Sequence, residues 1–466
     1  MSKKTFKCVS LLLVLFLIFA SLIGCSGGKT DQNTEQKDEE QSGEDVKGDQ
    51  KEPEEQSYDF GGRTFRTAAW WDSEPKEGTS QSADELIARI RELSEKYNCK
   101  LEYLNIPWDQ YLERVTSTTL AGDPFADYFY ISSSWFWPTL VTGGMLYPLD
   151  DLGIFDFNDP KWNQQVISLG TYEGKKYAIT TGRPEPRAVF FFNKTLFDRE
   201  GIPYLYDLQK NKQWNWDKML EIAKKTTKDL DGDGVIDQWG VTGDIGWSLV
   251  YTNGAQAVKY ENGKYVVGLT DSAALEALQF WQDLLYVHKV APLTPEGAEW
   301  GWETNMFQNG KAAMLFGDFW LGDQFNPNME DDYGIVLPPM GPRATGYVSK
   351  AWDNVMEVIP STAKNPVEIA IFYDALTDPL PSATDPDQAW LDGWEGRVRD
   401  RESLEALIPI RDENITVFHM WDYIGELQQM GWTFMAQIQN NEKTPQAAIG
   451  EIAQQAQAVL DEVANK

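Results

Sequence analysis

The sequence predicts an α/β protein built as two lobes, and three observations carry that prediction. Strand-like and helix-like segments alternate through the first half, the pattern of a largely parallel sheet covered by helices. About 410 of the 466 residues follow a polar N-terminal stretch, too many for one core of ordinary size. A second strand-and-helix stretch then opens near Ala188.

The elements follow in order. A strand over Arg63–Ala69 ends in Trp70-Trp71-Asp72. A helix comes next, with Ser82 and Glu85 as its capping box and Leu86, Ile90, Leu93 and Tyr97 on one face. A strand over Lys100–Ile106, a helix over about Asp109–Leu120 and a strand over Ala126–Ile131 complete this run. Later helices are expected at Trp216–Thr227 and Ala273–His288. The last starts at Thr444 as N-cap with Pro445 at the first helical position and runs to about Val463. Ligands bind beyond the carboxyl ends of strands in such sheets, which singles out Trp71, Asp72, Ser134 and Trp135.

The N-terminus carries a leader. Lys3, Lys4 and Lys7 precede the apolar run Val9–Ala20, which is short for a membrane span. Leu22-Ile23-Gly24-Cys25 resembles a bacterial lipobox, so residues 1–25 are expected to be a lipoprotein signal peptide, with lipid (palmitate among it) on Cys25. The other reading is a transmembrane anchor with a chance cysteine. Residues 26–57 are almost all polar or charged, with Val46 the one aliphatic side chain, and are expected to form a disordered linker. A flexible chain of that length reaches roughly 30 Å. The expected location is the outer face of a cell membrane.

Charge and composition exclude several classes. The net charge of −31 opposes nucleic-acid binding, which needs a basic face. Two histidines, His288 and His419, leave no room for a multi-histidine metal site, and a His-based triad is nearly excluded. Dinucleotide, P-loop and HExxH motifs are absent. Of three cysteines, Cys8 leaves with the leader, Cys25 takes the lipid and Cys99 reads as a buried small hydrophobe. The unusual number is aromatic: 19 Trp, 19 Tyr and 22 Phe, with many Trp in Gly/Asp/Ser/Pro-rich segments where function concentrates. An indole has an apolar face and a polar N–H, which suits ligands that are apolar on one face and hydroxylated at the rim.

Asp229-Leu230-Asp231-Gly232-Asp233-Gly234-Val235-Ile236-Asp237 reads D-x-D-x-D-G-x-x-D, an EF-hand-type loop with the Val235 carbonyl at position 7. Position 12 is Gly240 rather than Glu, so a complete EF-hand is not expected. A structural Ca²⁺ and a metal-free Asp/Gly turn are the two readings.

Several segments together resemble the extracellular solute-binding proteins of carbohydrate ABC transporters, the maltose-binding-protein-like family 1. Gly174-Lys175-Lys176-Tyr177-Ala178-Ile179 followed by Phe190–Phe197 resembles its "G-K-x-Y-x-I-P … Y-Y-N-K-x-L-F" segment. Trp214–Asp217 resembles a helix start of the family, and Tyr260–Tyr265 a stretch of maltose-binding protein. Phe307–Met314 resembles "F-x-x-G-K-A-A-M", and Tyr333–Pro339 its Gly-to-Pro strand. The resemblance implies a periplasmic-binding-protein-like fold of class II type, with lobes joined by crossing hinge strands and a ligand cleft between them. It implies a first lobe of 58–185 plus 355–410 and a second of 186–354 plus 411–466.

The same resemblance implies a carbohydrate ligand, probed by hinge closure, and ABC permease subunits as partners of a monomer that is not an enzyme. It places Trp320 as a sugar-stacking indole after the "G-K-A-A-M" strand, with Asp318 beside it, and Trp247 as another cleft aromatic. Trp421, Trp352 and Asp353 are further candidates, and Trp300 and Trp302 weaker ones. Arg183, Glu185 and Arg187 read either as ligand contacts or as a hinge salt-bridge cluster. Related alginate-binding proteins end the metal loop at position 10, here Gln238. A surface sensor or adhesin without transport, and a cell-surface glycoside hydrolase, are the rival functions.

Overall fold

A computed structural model describes residues 58–383, 385–413 and 415–464; the leader, the linker and Cys25 lie outside them. Strand β1 (Arg63–Ala69), helix α1 (Gln81–Lys96), strand β2 (Cys99–Asn105), helix α2 (Trp108–Leu120) and strand β3 (Tyr128–Ser132) follow the expected alternation. After a short strand β4 (Ala178–Ile179) come β5 (Ala188–Asn193), helix α3 (Trp216–Thr226), β6 (Thr242–Gly243), α4 (Ile245–Thr252) and α5 (Ser272–Tyr286). Then follow α6 (Trp302–Gln308), β7 (Met314–Asp318), α7 (Leu321–Asn328), β8 (Tyr333–Val336), β9 (Ser349–Ala351) and β10 (Val355–Val358). The chain closes with α8 (Pro366–Leu376), α9 (Pro386–Trp394), α10 (Arg401–Asp412), β11 (Thr416–Phe418), α11 (Gly425–Gln439) and α12 (Pro445–Val463).

Two sheets organise these elements. The first runs β2-β1-β3-β10-β4, with β1, β2 and β3 parallel and β10 antiparallel to β3 and β4. The second runs β8-β5-β7-β6. Here β5 pairs antiparallel with both neighbours, and only β6 and β7 are parallel.

Local chemistry explains the helix starts. Ser80, not Ser82, caps α1, accepting from the Ala83 N–H at 3.1 Å. Glu85 is drawn away from the cap, because Ser382 donates to its carboxylate from both N–H and O–H. Thr444 caps α12 with Pro445 at its first position, as the sequence suggests. His288 does not gain from its helix end: burial, with Lys224 nearby, disfavours its charged form.

Strand β5 shows why the second lobe needs so many helices. All six of its residues are buried. Side chains alternate between faces along a strand. Phe190 and Phe192 enter one core with Trp214, while Val189 and Phe191 enter another with Phe307 and Phe325. That second core also contains Trp390, Leu407 and Ile410. Helices α9 and α10 therefore cover the second sheet, where Ser403 Oγ accepts from the Ile335 N–H at 2.9 Å. The sequence reading put 386–410 with the first lobe. The unpaired face of β5 recruits those residues instead, and only 355–383 stays with the first sheet, through Phe372 against Phe65 at 4.6 Å.

Among the described residues the backbone passes between the sheets at 180–187, at 352–354 and again between α8 and α9. The first passage is tied to the second lobe. The Trp390 indole N–H donates to the Pro184 carbonyl (2.9 Å), and the Phe319 N–H donates to that of Arg187 (2.8 Å). Cys99 is buried as expected, and burial pushes its thiol up to about 11.

Glu357 on β10 is 6% exposed, and Thr180 Oγ1 donates to it at 2.9 Å. Burial pushes its carboxyl up to about 7 from 4.5. Between those values the folded chain binds a proton that the unfolded chain releases, so stability falls as pH rises through the window. Glu357→Gln removes that penalty. It should stabilise the protein by about 3 kcal/mol at pH 8 and much less at pH 5, as read from thermal melts at both values.

Candidate ligand-binding site

The strand pairings bring the matching ends of both sheets to the passages. In the first sheet Val355 lies opposite Ser132, so the ends of β1 and β3 meet the start of β10. In the second, Asp318 at the end of β7 lies opposite Ala188 at the start of β5. Asp244 follows β6 directly and donates its N–H to the Phe316 carbonyl at 3.1 Å.

On the first-sheet side, Ser132, Ser134 and Asp353 come together. Ser132 Oγ lies 2.7 Å from Ser134 Oγ and 3.3 Å from Asp353 Oδ2. Ser133 Oγ accepts from the Asn354 N–H (2.9 Å) and meets Tyr423 Oη at 3.0 Å. Trp71 is 36% exposed, edge-on to Tyr130 at 5.2 Å. Asp72 is exposed and pairs with Lys76 at 2.5 Å.

On the second-sheet side the centre is a buried cation. The Lys350 side chain is 2% exposed; its Nζ lies 2.6 Å from Asp244 Oδ2 and 3.5 Å from the centre of the Trp352 ring. His419 is fully buried between Trp247 (4.3 Å), Trp352 (4.6 Å) and Tyr251, whose hydroxyl meets Nδ1 at 2.7 Å. Burial disfavours the charged form of this imidazole, with Asp422 opposing. Asp318 is shifted the other way: burial raises its carboxyl, with Lys350 and Arg187 opposing and Asp244 adding. Glu303 on α6 is raised too, by burial, with a bond to its own backbone opposing and Asp244 adding. Arg187 pairs with Glu185 at 3.2 Å, so the first passage does carry a salt bridge. Its buried Nε has no hydrogen-bond partner among the described residues.

Several expected site residues lie elsewhere. Trp421 is fully buried and its indole N–H donates to the Leu427 carbonyl, so it offers no face to a ligand. Trp247 is 7% exposed, packed on His419 and Phe434. Trp135 is 9% exposed within a first-lobe aromatic cluster of Tyr111, Trp108 and Trp70. These indoles pack in cores because aromatic partners distant in sequence surround them. Trp320 is different, with 41% exposure. Asp244, Lys350, Ser133 and Tyr423 were not singled out from the sequence. A lone lysine in the apolar run around β9 and an Asp directly after a strand were the available signals.

In the metal loop, carboxylate oxygens of Asp229, Asp231 and Asp237 lie within 4.8 Å of one another. Asp229 accepts from the Gly232 (2.7 Å) and Gly234 (2.9 Å) N–H groups, which hold its carboxyl below its usual range. Asp233 turns to its own loop, accepting from the Val235 N–H at 2.7 Å, and Val235 is exposed. Gln238 does not fit a ligand role. It is 2% exposed, donates to the Thr226 carbonyl (2.6 Å) and accepts from Arg199.

Known proteins match this architecture. The model of the bacterial extracellular solute-binding protein family matches residues 76–379, and the chain belongs to that family. A curated arabinooligosaccharide-binding protein of Halalkalibacterium halodurans is 27% identical over 244 residues. That match covers 51% of this chain, and the chain spans about half the length of that relative. A Listeria monocytogenes ABC substrate-binding protein in complex with cycloalternan superposes with a TM-score of 0.60 at 18% identity, covering 86% of this chain and 98% of that one. The cyclic α-maltosyl-1,6-maltose binding protein of Arthrobacter globiformis gives 0.63 at 17% identity, over 86% and 100%. The chain therefore has the two-lobed α/β fold of the solute-binding proteins.

The Lys350–Asp244 pair yields a stability prediction. Removing one partner of a buried pair leaves the other charge uncompensated. Asp244→Asn should cost about 3 kcal/mol in urea unfolding, the low end for a buried pair because the Asp244 side chain is 36% exposed. Lys350→Met, which fills the same space without a charge, should cost less.

Proposed function

We propose that this protein captures an uncharged oligosaccharide for an ABC importer. One observation carries the reading: an exposed indole, Trp320, stands beside Asp318 where the ends of the second sheet meet the interlobe passages. A pyranose packs its C–H face on an indole, while its hydroxyls donate to carboxylates in strong charge-assisted bonds. On the first sheet an exposed indole, Trp71, and a carboxylate, Asp353, follow β1 and precede β10.

The charges narrow the ligand further. The cations named at the site are already paired, Arg183 with Asp387, Arg187 with Glu185 and Lys350 with Asp244. An acidic sugar would meet carboxylates without a free cation, so uronate oligomers are disfavoured. The names of the Halalkalibacterium, Listeria and Arthrobacter proteins, all sugar binders, support this class. Lipid on Cys25 would keep the receptor beside its permease.

A calorimetric screen of neutral and uronate oligosaccharides tests the reading. Neutral oligomers should bind and uronates should not; Trp320→Ala should weaken binding about tenfold or more. Binding to no neutral carbohydrate, or release of shorter products during incubation, would overturn it.

The loop at 229–237 is proposed to take a structural Ca²⁺ through Asp229, Asp231 and Asp237, three hard oxygen donors already close together. Millimolar calcium should raise the melting temperature over that in EGTA. Asp231→Asn should abolish the difference; identical melts for the wild type in both buffers would sink the proposal.

A further inference from the structure

Trp300 is 88% exposed, a large apolar surface to leave in water. It is not a stray side chain. Its ring lies parallel to that of Trp320, with an interplanar angle of 6° and centroids 6.4 Å apart. The local backbone fixes it in that place. Trp300 and Gly301 are the central residues of a turn closed by the Trp302 N–H donating to the Glu299 carbonyl at 3.2 Å. Gly301 has φ +82°, a conformation that strains residues with a Cβ. The Gly301 carbonyl then accepts from the Asn305 N–H at 2.9 Å, so the turn is fused to α6. Trp320 is anchored just as firmly, because the neighbouring Phe319 N–H is bonded to Arg187 at the first passage.

The pair is continuous with the polar site. Glu303, three residues after Trp300, feels the charge of Asp244, and so does Asp318, two residues before Trp320. Geometry agrees: α6, which Trp300 precedes, packs against β6, the strand that Asp244 follows, so the aromatic pair lies next to these carboxylates. A second copy of the chain or another acidic protein would bring repulsion to this rim, whereas sugar hydroxyls would donate to it.

We propose that Trp300 and Trp320 form an outer subsite for an additional sugar ring, so that this lobe reads the length of an oligosaccharide. The inference rests on the carbohydrate reading above and deepens it. The two indoles need no rearrangement to present their faces, so the ordering cost of that subsite is small.

The test is titration calorimetry of the mature protein with two probe series, arabino-oligosaccharides and malto-oligosaccharides of two to six units. In the wild type, affinity for the series that binds should rise with chain length. Trp300→Ala should flatten that rise: dimers change less than about twofold, while the longest oligomers weaken by about tenfold. Trp300→Phe, which keeps a flat ring, should restore most of the slope. Because Trp300 is so exposed, its loss should leave the thermal melt in place. An unchanged length dependence in Trp300→Ala, with normal binding overall, overturns the subsite alone. A wild type that binds no neutral oligosaccharide, of these series or of the wider screen, overturns the carbohydrate reading together with it.

Discussion

The burial of β5 on both faces is the constraint on which the rest of the fold depends. A strand whose six residues are all withdrawn from water needs cover on two sides. One side is closed by segments near it in sequence, such as Trp214 and α3. The other requires Trp390, Leu407 and Ile410, which the chain reaches only after passing through the first lobe. The extra passage between α8 and α9 follows from that demand. So does the gathering of three backbone passages around the ends of both sheets, where polar groups can be buried yet partnered.

Charge gathers there, partly buried, and its arrangement is economical. Lys350 meets Asp244 and an indole face, Arg187 meets Glu185, and burial among aromatics disfavours the charged form of His419. Buried ions are tolerated only in such company. Asp318 and Asp353 are the carboxylates left without a cation in direct contact, which is why the proposed reading gives them the hydroxyls of a sugar. A site of this kind is selective through what it lacks as much as through what it holds: it has acceptors to spare and no cation that is free.

Much of this could be read from the residues, and the failures share one cause. Alternation of strand and helix located the first lobe to within a residue or two, and the order of family-like segments located β5, β7 and β8. Trp320 and Asp318 were singled out because they lie at the end of a family-like strand, and Trp320 is exposed there. Trp247, Trp421 and Trp135 were misjudged because an indole in a loop-like segment looks the same whether it faces water or Phe434, more than 180 residues on from Trp247. Gln238 has the right position in the metal loop, yet Thr226 and Arg199 claim its side chain from outside that loop. The assignment of 386–410 failed likewise, since only the tertiary structure shows which sheet face is still bare. Local pattern determines elements, while contacts distant in sequence decide which side chains remain available.

The three passages also have a mechanical meaning. A single connection between two bodies is a swivel, free to bend and to twist. Three connections, the first of them held to the second lobe by the Trp390–Pro184 and Phe319–Arg187 bonds, constrain the joint more than one would. Bending about the line they share costs little, because each strand need change only a few dihedrals. Twisting or sliding would stretch at least one of the three connections. A joint of this kind restricts the directions in which the surfaces that carry Trp71 and Trp320 can move relative to each other.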